Sequence, residues 1–281
     1  MTLSVRSAAF VVLGFLIAAS ASAQFQPQVG QAGKDVIWVP TPDDVVERML
    51  TMAQVTPQDL VMDLGAGDGK IAIMASKKFG ARAVGIEYNP DMVKHANANA
   101  QAAGIAGNGA GKALVRHGDI FQTDFSQASV ITLYLLPALN MKLRPQLLSM
   151  RPGTRVVSHS FSMEDWEADE ISTLDGRRAY FWLVPANVMG NWSLETQGAG
   201  GRQKLDLTLE QVFQKLSGTV TLGPIHAGLR DARLRGSAIS FSYVDQAALR
   251  RDFNGRVTGG RMEGSFRDEK GGEGRWSATK K

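Results

Sequence analysis

The sequence of 281 residues contains no cysteine, and several other signatures are missing with it. Without cysteine there is no disulfide framework, and an exported chain would carry no free thiol open to oxidation. No dense basic run interleaved with aromatic residues occurs, so the net charge of +4 does not indicate a nucleic-acid partner. No residues have the spacing of metal ligands, and we expect no metal. The composition, 44% hydrophobic and 21% charged, is that of a globular protein able to bury a core.

The apolar run near the N-terminus is short. Residues 8–19 are apolar, Arg6 precedes them, and Ala21-Ser22-Ala23 follows. A positive start, a short apolar core and an Ala-x-Ala sequence are typical of a cleaved secretory signal. The run is too short to span a hydrocarbon layer of about 30 Å comfortably. We therefore expect residues 1–23 to be a signal peptide and the protein to be exported to the periplasm. The mild positive charge also permits contact with an acidic membrane surface.

The stretch from Leu60 to Lys70 organises the first half of the chain. A short apolar run ends in a carboxylate, three glycines alternate with small or acidic residues, and helix formers follow. This pattern predicts a buried strand, a tight glycine turn and the start of a helix. Glycine is needed where the backbone bends sharply and where a ligand contacts the main chain. At the carboxyl end of a strand in an open parallel sheet, such a turn is the usual site of a nucleotide-like ligand.

The spacing of this turn indicates which ligand it binds. The order is Gly65-x-Gly67-x-Gly69, whereas a dinucleotide fingerprint needs one more residue before its third glycine. Asp63 and Asp68 flank the turn and would repel a pyrophosphate, so a dinucleotide-dependent oxidoreductase is disfavoured. S-adenosylmethionine (SAM) carries a sulfonium and an ammonium and no phosphate. The stretch resembles motif I of the class I SAM-dependent methyltransferases at every position. The predicted contacts to SAM in this turn are Asp63, Gly65, Ala66, Gly67, Asp68 and Gly69.

Two further carboxylates follow the next predicted strands. Glu87 ends an apolar strand about 20 residues past the turn, where an acid accepts hydrogen bonds from ribose hydroxyls. Tyr88 and Asn89 come directly after it and are included in the predicted cofactor site. Asp119 follows the third strand and is placed to accept from the adenine amino group, with Ile120 packing on the ring. Gly118-Asp119-Ile120 resembles the adenine motif of the same methyltransferase class.

Strand and helix patterns alternate from Leu60 onward, which predicts a parallel sheet with helices on both faces. The predicted fold class is α/β, a doubly wound Rossmann-like and mostly parallel sheet, followed by a smaller antiparallel β domain. The predicted divisions are a signal peptide at 1–23, a linker at 24–35, a methyltransferase domain at 36–187 and an antiparallel β-rich domain at 188–281.

Local sequence patterns predict further details of individual helices, of the second domain and of the C-terminal tail. Thr41 is predicted as the N-cap of a helix that has Pro42 at its first position. A later helix is predicted to break near Pro145. After residue 187, short alternating runs separated by turns predict an antiparallel meander, either a sandwich or a small barrel. The charged, glycine-rich C-terminal tail is expected to fray beyond Trp276.

The acceptor site is expected at the ends of the fourth and fifth strands. Methyl transfer is an in-line displacement, so the protein must mainly align the nucleophile and exclude water. A dry pocket also favours the neutral form of an amine acceptor. Tyr134 is placed to hydrogen-bond that amine, or it is a half-buried strand residue. His159 faces the same rim, either in the acceptor pocket or as a structural histidine.

Five segments together resemble the ATP synthase c-subunit lysine methyltransferase family and its prokaryotic relatives, over roughly Val36 to Pro185. The segments are 39–41, 63–70, 85–90, 134–137 and 152–158. The resemblance implies a seven-strand class I fold, SAM as the donor and lysine side chains of a protein as acceptors. The predicted catalytic residues are Tyr134, Pro137 and His159. The loop at Thr41 either lies over the methionine end of SAM, as the corresponding segment does in that family, or leads into a helix that simply covers one edge of the sheet. The export signal and the added C-terminal region are departures from the family.

Two alternatives to an exported protein-lysine methyltransferase stay open at this point. The chain is either an exported binding module that keeps a methyltransferase-like fold without turnover, or a methyltransferase acting on a small molecule. The intact set of cofactor residues favours an enzyme, because a protein that does not bind SAM has no need of all of them. These are Asp63, Gly65, Gly67, Glu87 and Asp119.

Overall fold

The structure is a computed structural model, and it describes residues 25–281. The predicted signal peptide at 1–23 lies outside the described residues. The helices are α1 Asp43–Met52, α2 Lys70–Phe79, α3 Pro90–Ala102 and α4 Pro137–Leu148. The strands of the first sheet are β1 Leu60–Leu64, β2 Arg82–Glu87, β3 Ala113–His117, β4 Val130–Leu133, β5 Arg155–His159, β6 Glu170–Leu174 and β7 Arg177–Leu183.

The first sheet has the order β3-β2-β1-β4-β5-β7-β6. Strands β1 to β5 pair in parallel, and β7 pairs antiparallel with both β5 and β6. Neighbouring residues of its central strands point to opposite faces, and both faces are buried, as parallel sheets require. Val61, Val130 and Val157 pack on the side of α1 and α2. The opposite face packs against α4. The predicted α/β class is confirmed.

The strand order reverses between β1 and β4, which both lie at the centre of the sheet. In an open α/β sheet, a crevice forms outside the carboxyl ends of the strands at such a switch point. The glycine turn follows β1 and Tyr134 follows β4. The topology therefore places the predicted cofactor turn and the predicted acceptor residue at one crevice.

The second sheet is antiparallel and closes on itself. Its strands are β8 Gly190–Gly198, β9 Gly201–Val212, β10 Lys215–Leu222, β11 Ile225–Gly228, β12 Arg230–Arg235, β13 Ala238–Val244, β14 Arg250–Thr258, β15 Arg261–Asp268 and β16 Glu273–Lys280. The last strand, β16, pairs with β8, while β9 pairs with β10, so the ring of strands is complete. Aromatic side chains fill its interior, and of the two predicted forms it takes the barrel. They include Trp192, Phe241, Phe253 and Trp276.

Segments that flank the strands of the two sheets contact each other. The Phe213 ring stacks on Trp166 with 6.1 Å between ring centroids, and Lys215 Nζ lies 2.6 Å from Glu167 Oε1. The last strand of the first sheet ends at Leu183, and the second sheet begins at Gly190. The predicted domain boundary at 187/188 falls in this connection. Within residues 25–281, no helix is long and apolar enough to cross a membrane.

Three local predictions are wrong. Thr41 is not the N-cap of α1, because Pro42 takes that position without any side-chain cap, and Thr41 contacts His159 instead. Helix α4 does not break at Pro145, since the buried Leu143 and Leu147 on either side hold the helix in place. The tail does not fray beyond Trp276, because β16 runs to Lys280 with Trp276 and Ala278 in the core.

The edge strand β6 is a further difference, because no strand is predicted there from the sequence. None of its residues is buried, so it carries no apolar alternation that would reveal it. Its backbone pairs with β7, and the Arg48 Nε–H of α1 donates to the Ser172 hydroxyl. An edge strand of this kind has little sequence signature, because only one of its sides is hydrogen-bonded.

Candidate active site

A cleft of about 300 Å³ opens at the carboxyl ends of β1, β2 and β4. Small-molecule sites typically have this size or larger. Its walls come from the glycine turn, from residues 87–89, 118–120 and 134–136, and from Phe161. Residues 31–41 form a further wall. We name residues 30–41 the N-terminal strap. Among the described residues that line the cleft, none comes from the second sheet.

The glycine turn adopts a backbone that only glycine accommodates easily. Gly65, Gly67 and Gly69 have φ values of 84°, 53° and 79°. The backbone N–H groups of Gly65 and Ala66 both donate to the carbonyl of Ile86, which ties the turn to β2. A Cβ at Gly67 would lie 2.5 Å from Nε1 of Trp38 in the strap. Bare main chain therefore faces the cleft and the strap packs directly on it.

Asp63 lies at the base of the cleft and is 2% exposed. The Thr132 hydroxyl donates to its Oδ1 at 2.7 Å. Burial, together with the nearby carboxylates of Asp68 and Glu87, raises the pKa of Asp63 to about 7. A buried carboxylate is costly without a cationic partner, so this position fits the ammonium or sulfonium of SAM.

Glu87 bridges the turn and the start of α3. Its Oε2 accepts from the Gly67 N–H at 2.9 Å, and its Oε1 accepts from the Asn89 N–H at 2.8 Å. The Asn89 side chain caps α3 by accepting from the N–H groups of Asp91 and Met92. The Glu87 carboxylate is thereby fixed at the cleft, where a ribose diol would meet it.

The adenine end contains Asp119, Ile120 and the half-exposed Tyr88. Oδ1 of Asp119 accepts from the Phe121 N–H at 2.9 Å, and Oδ2 lies 2.6 Å from Lys34 Nζ in the strap. The Lys34 hydrogen bond is the main reason that the pKa of Asp119 is lowered. The carboxylate is ionised at neutral pH and is already engaged by the protein itself.

An aromatic group forms the other end of the cleft. The ring of Tyr134 lies 4.0 Å from that of His159 and 6.2 Å from that of Phe161, measured between centroids. His159 is 3% exposed, and its Nδ1 lies 3.2 Å from the Thr41 hydroxyl. Its Nε2 has no hydrogen-bond partner in the described part of the chain. Burial, with Arg177 as a second cause, lowers the pKa of His159 to about 4, so the imidazole is neutral at pH 7.

The structure brings most of the predicted site residues to this one cleft. Those that line it are Thr41, Asp63, Gly65, Ala66, Gly67, Asp68, Glu87, Tyr88, Asn89, Asp119, Ile120 and Tyr134. Three predicted residues lie behind the lining. Gly69 caps α2 and packs near Ala96, Pro137 begins α4, and His159 is covered by Tyr134.

Three residues that line the cleft, Lys34, Trp38 and Phe161, are not predicted from the sequence. Trp38 lies in an apolar run next to the Val-Pro-Thr segment, which was a usable signal. No sequence signal indicates Lys34, because it lies in a stretch with the composition of a linker. Within residues 25–281, no group of three or more acidic or histidine side chains could hold a metal ion.

The fold and the cleft define a class I SAM-dependent methyltransferase. Residues 63–170 match the family described as the ANTKMT methyltransferase domain. The chain is 44% identical over 138 residues to a protein-lysine N-methyltransferase of Saccharolobus islandicus, covering 48% of this chain and 83% of the relative. It is 32% identical over 185 residues to the mouse lysine N-methyltransferase of the ATP synthase c-subunit, covering 60% and 72%. The chain belongs to the family of these lysine methyltransferases.

A solved structure supports the same assignment. An RNA methyltransferase from Salinibacter ruber, in complex with S-adenosyl-L-homocysteine, shares 49% sequence identity with this chain at a TM-score of 0.51. The match covers 53% of this chain and 96% of that one. SAM is the cofactor of the present protein, and the binding module without turnover is disfavoured because these relatives are methyltransferases.

Proposed function

We propose that this protein transfers the methyl group of SAM to a lysine ε-amine of another protein. The observation that carries the proposal is the aromatic end of the cleft, where Tyr134 and Phe161 form the walls beside Thr41. A lysine side chain is a long apolar stem with an amine at its tip, and aromatic walls suit both parts. The similarity to lysine N-methyltransferases of Saccharolobus islandicus and mouse supports the same acceptor.

SAM, when bound, supplies a methyl group already activated by a sulfonium. What remains for the protein is to deliver a neutral amine in line and to exclude water. Tyr134 lines the cleft directly after β4, and we assign its hydroxyl the role of orienting the acceptor amine. Neutral His159 behind it adds no positive charge that would repel the incoming ammonium.

The mouth of the cleft favours a protein over RNA as the acceptor. Ile37, Val39 and Leu136 line the cleft and are 56%, 38% and 42% exposed. An RNA acceptor needs cationic side chains for its phosphates. The two lysines that line the cleft, Lys34 and Lys70, are already paired with Asp119 and Asp43. The same rim supports a contact with an apolar protein surface or with a membrane surface.

We further propose that the protein acts after export, with residues 1–23 removed and the mature chain in the periplasm. The pattern of a positive start, short apolar core and Ala-x-Ala supports this. N-terminal sequencing of the protein recovered from a periplasmic fraction tests it, with Gln24 as the expected first residue. An intact N-terminus in the cytoplasmic fraction would contradict it.

The acceptor is tested by incubating the protein with methyl-labelled SAM and a cell-envelope extract. We expect the label in protein, released as methyl-lysine on acid hydrolysis. The matched control is Tyr134→Phe, which keeps the aromatic wall and removes the hydroxyl. Label in RNA, lipid or small molecules, with none in protein, would refute the lysine acceptor while leaving SAM dependence intact.

A further inference from the structure

The N-terminal strap, residues 30–41, folds back over the cofactor cleft. The Gly30 N–H donates to the Trp38 carbonyl at 2.8 Å, and the Gly33 N–H donates to the Val36 carbonyl at 3.0 Å. Ala32 and Ile37 form an antiparallel bridge between these bonds. The strap is therefore a small folded loop, and Trp38 anchors it against Gly67. Its tip holds Lys34.

Lys34 contacts two groups at the adenine end of the cleft. Its Nζ lies 2.6 Å from Asp119 Oδ2 and 4.6 Å from the centroid of the Tyr88 ring. The Asp119 hydrogen bond is the main cause that raises the pKa of Lys34, and the same bond lowers that of Asp119. Both groups are thus charged at neutral pH. The ammonium makes a charge-assisted hydrogen bond and a cation–π contact at once.

Adenine would bind to the same two groups that Lys34 contacts, the Asp119 carboxylate and the Tyr88 ring. Its amino group requires an acceptor, which Asp119 offers, and its ring requires an apolar surface, which Tyr88 and Ile120 offer. The other Asp119 oxygen already accepts from the Phe121 N–H. An ammonium seated between the carboxylate and the ring occupies the place where the purine edge would bind.

We propose that Lys34 is an intramolecular competitor for the adenine position and so sets the affinity of the enzyme for SAM. Cofactor binding requires the Lys34–Asp119 pair to open, so that Lys34 leaves the adenine position while the strap stays over the cleft. The inference concerns the cofactor end of the cleft and does not depend on the identity of the methyl acceptor.

The expected size of the effect follows from the exposure of the pair. The Lys34 and Asp119 side chains are 35% and 15% exposed, so solvent weakens their attraction. Partly exposed ion pairs and cation–π contacts are each worth a few-fold in an equilibrium constant. Removing the competitor should therefore tighten SAM binding by about three- to tenfold.

The test is calorimetric binding of SAM to the full chain and to Lys34→Met, which keeps the apolar stem and removes the charge. We expect the dissociation constant to fall by about three- to tenfold, and the gain to shrink at about 1 M salt because screening weakens the pair in the parent. Adenosine, which lacks the methionine end, should show the same gain.

Two control variants complete the test. Lys34→Arg keeps a cation at the tip of the strap and should bind SAM like the parent. Lys94→Met removes a lysine that pairs with Asp91 on α3, outside the cleft, and should also leave SAM binding unchanged. Unchanged or weaker SAM binding by Lys34→Met, with an unaltered melting temperature, would overturn the proposal. A gain for SAM that is absent for adenosine would overturn it as well.

Discussion

Asp63→Asn should weaken SAM binding and at the same time stabilise the protein without cofactor. The pKa of Asp63 is raised to about 7 in the folded chain, against its ordinary value of 3.8, chiefly by burial. Below about pH 4 the carboxyl is protonated in both folded and unfolded states and costs nothing. Between about pH 4 and pH 7 the folded state resists ionisation, so stability is lost as pH rises.

The magnitude follows from the same pKa change. A rise from 3.8 to about 7, at about 1.4 kcal/mol for each pH unit, corresponds to a penalty on the order of 4 kcal/mol above about pH 7. The side-chain amide introduced by Asp63→Asn still accepts from the Thr132 hydroxyl and carries no charge, so the penalty disappears in the variant. Binding of a cationic ligand offsets the penalty in the parent. Losing a charge-assisted hydrogen bond to that ligand costs about 1.5–3 kcal/mol, or roughly 10- to 100-fold in affinity.

Thermal unfolding and calorimetry at about pH 4 to 8 measure both effects. The variant without cofactor should melt higher than the parent at pH 8 and nearly equally at pH 4. SAM affinity of the parent should rise with pH through about 7 relative to that of the variant. Asp91→Asn, on the exposed side of α3, serves as the control. It should leave SAM affinity unchanged and should not produce the rise in melting temperature at pH 8. Equal SAM affinity in parent and Asp63→Asn, or a variant that melts lower at pH 8, would refute the reasoning.

Three further predictions concern other parts of the chain. Glu87→Gln should weaken SAM binding by about tenfold. The amide cannot accept hydrogen bonds from a ribose diol and from both the Gly67 and Asn89 N–H groups, as a carboxylate does. Unchanged SAM affinity in calorimetry would contradict the ribose role. Tyr134→Phe should lower kcat for methyl transfer and leave the dissociation constant of SAM unchanged, whereas equal losses in both would make Tyr134 a cofactor contact. Trp276→Ala should destabilise the second sheet by about 3–5 kcal/mol in denaturant unfolding. SAM binding should persist, because the described cleft takes no residue from that sheet. Loss of SAM binding in the folded variant would show that the two sheets are coupled.

The parts of the site that sequence alone predicts are local in the chain. The turn from Gly65 to Gly69 is encoded by glycine spacing, since those positive φ values leave few other residues possible. Glu87 and Asp119 follow apolar strands, and parallel strands bring their carboxyl ends to one edge. These features can be predicted from short-range sequence patterns together with the rules of α/β topology.

The parts that sequence does not predict depend on contacts between distant segments. Lys34 meets Asp119 only because the strap folds back over the cleft, and nothing in its neighbours encodes that path. Thr41 has the chemistry of an N-cap, but the buried imidazole of His159 takes its hydroxyl instead. The charged tail has the composition of an unfolded segment because most of its residues are polar. Only two buried residues, Trp276 and Ala278, alternate with them and pack into the second sheet.

The most direct test of the central claim is whether the cleft beside Asp63 and Glu87 binds a sulfonium nucleoside. The full chain should be titrated in the calorimeter with SAM, and with sinefungin, which places an amine where the sulfonium lies. We expect saturable one-to-one binding of both ligands, weakened in Asp63→Asn and in Glu87→Gln. No heat with either ligand from a folded, monodisperse protein would contradict the account.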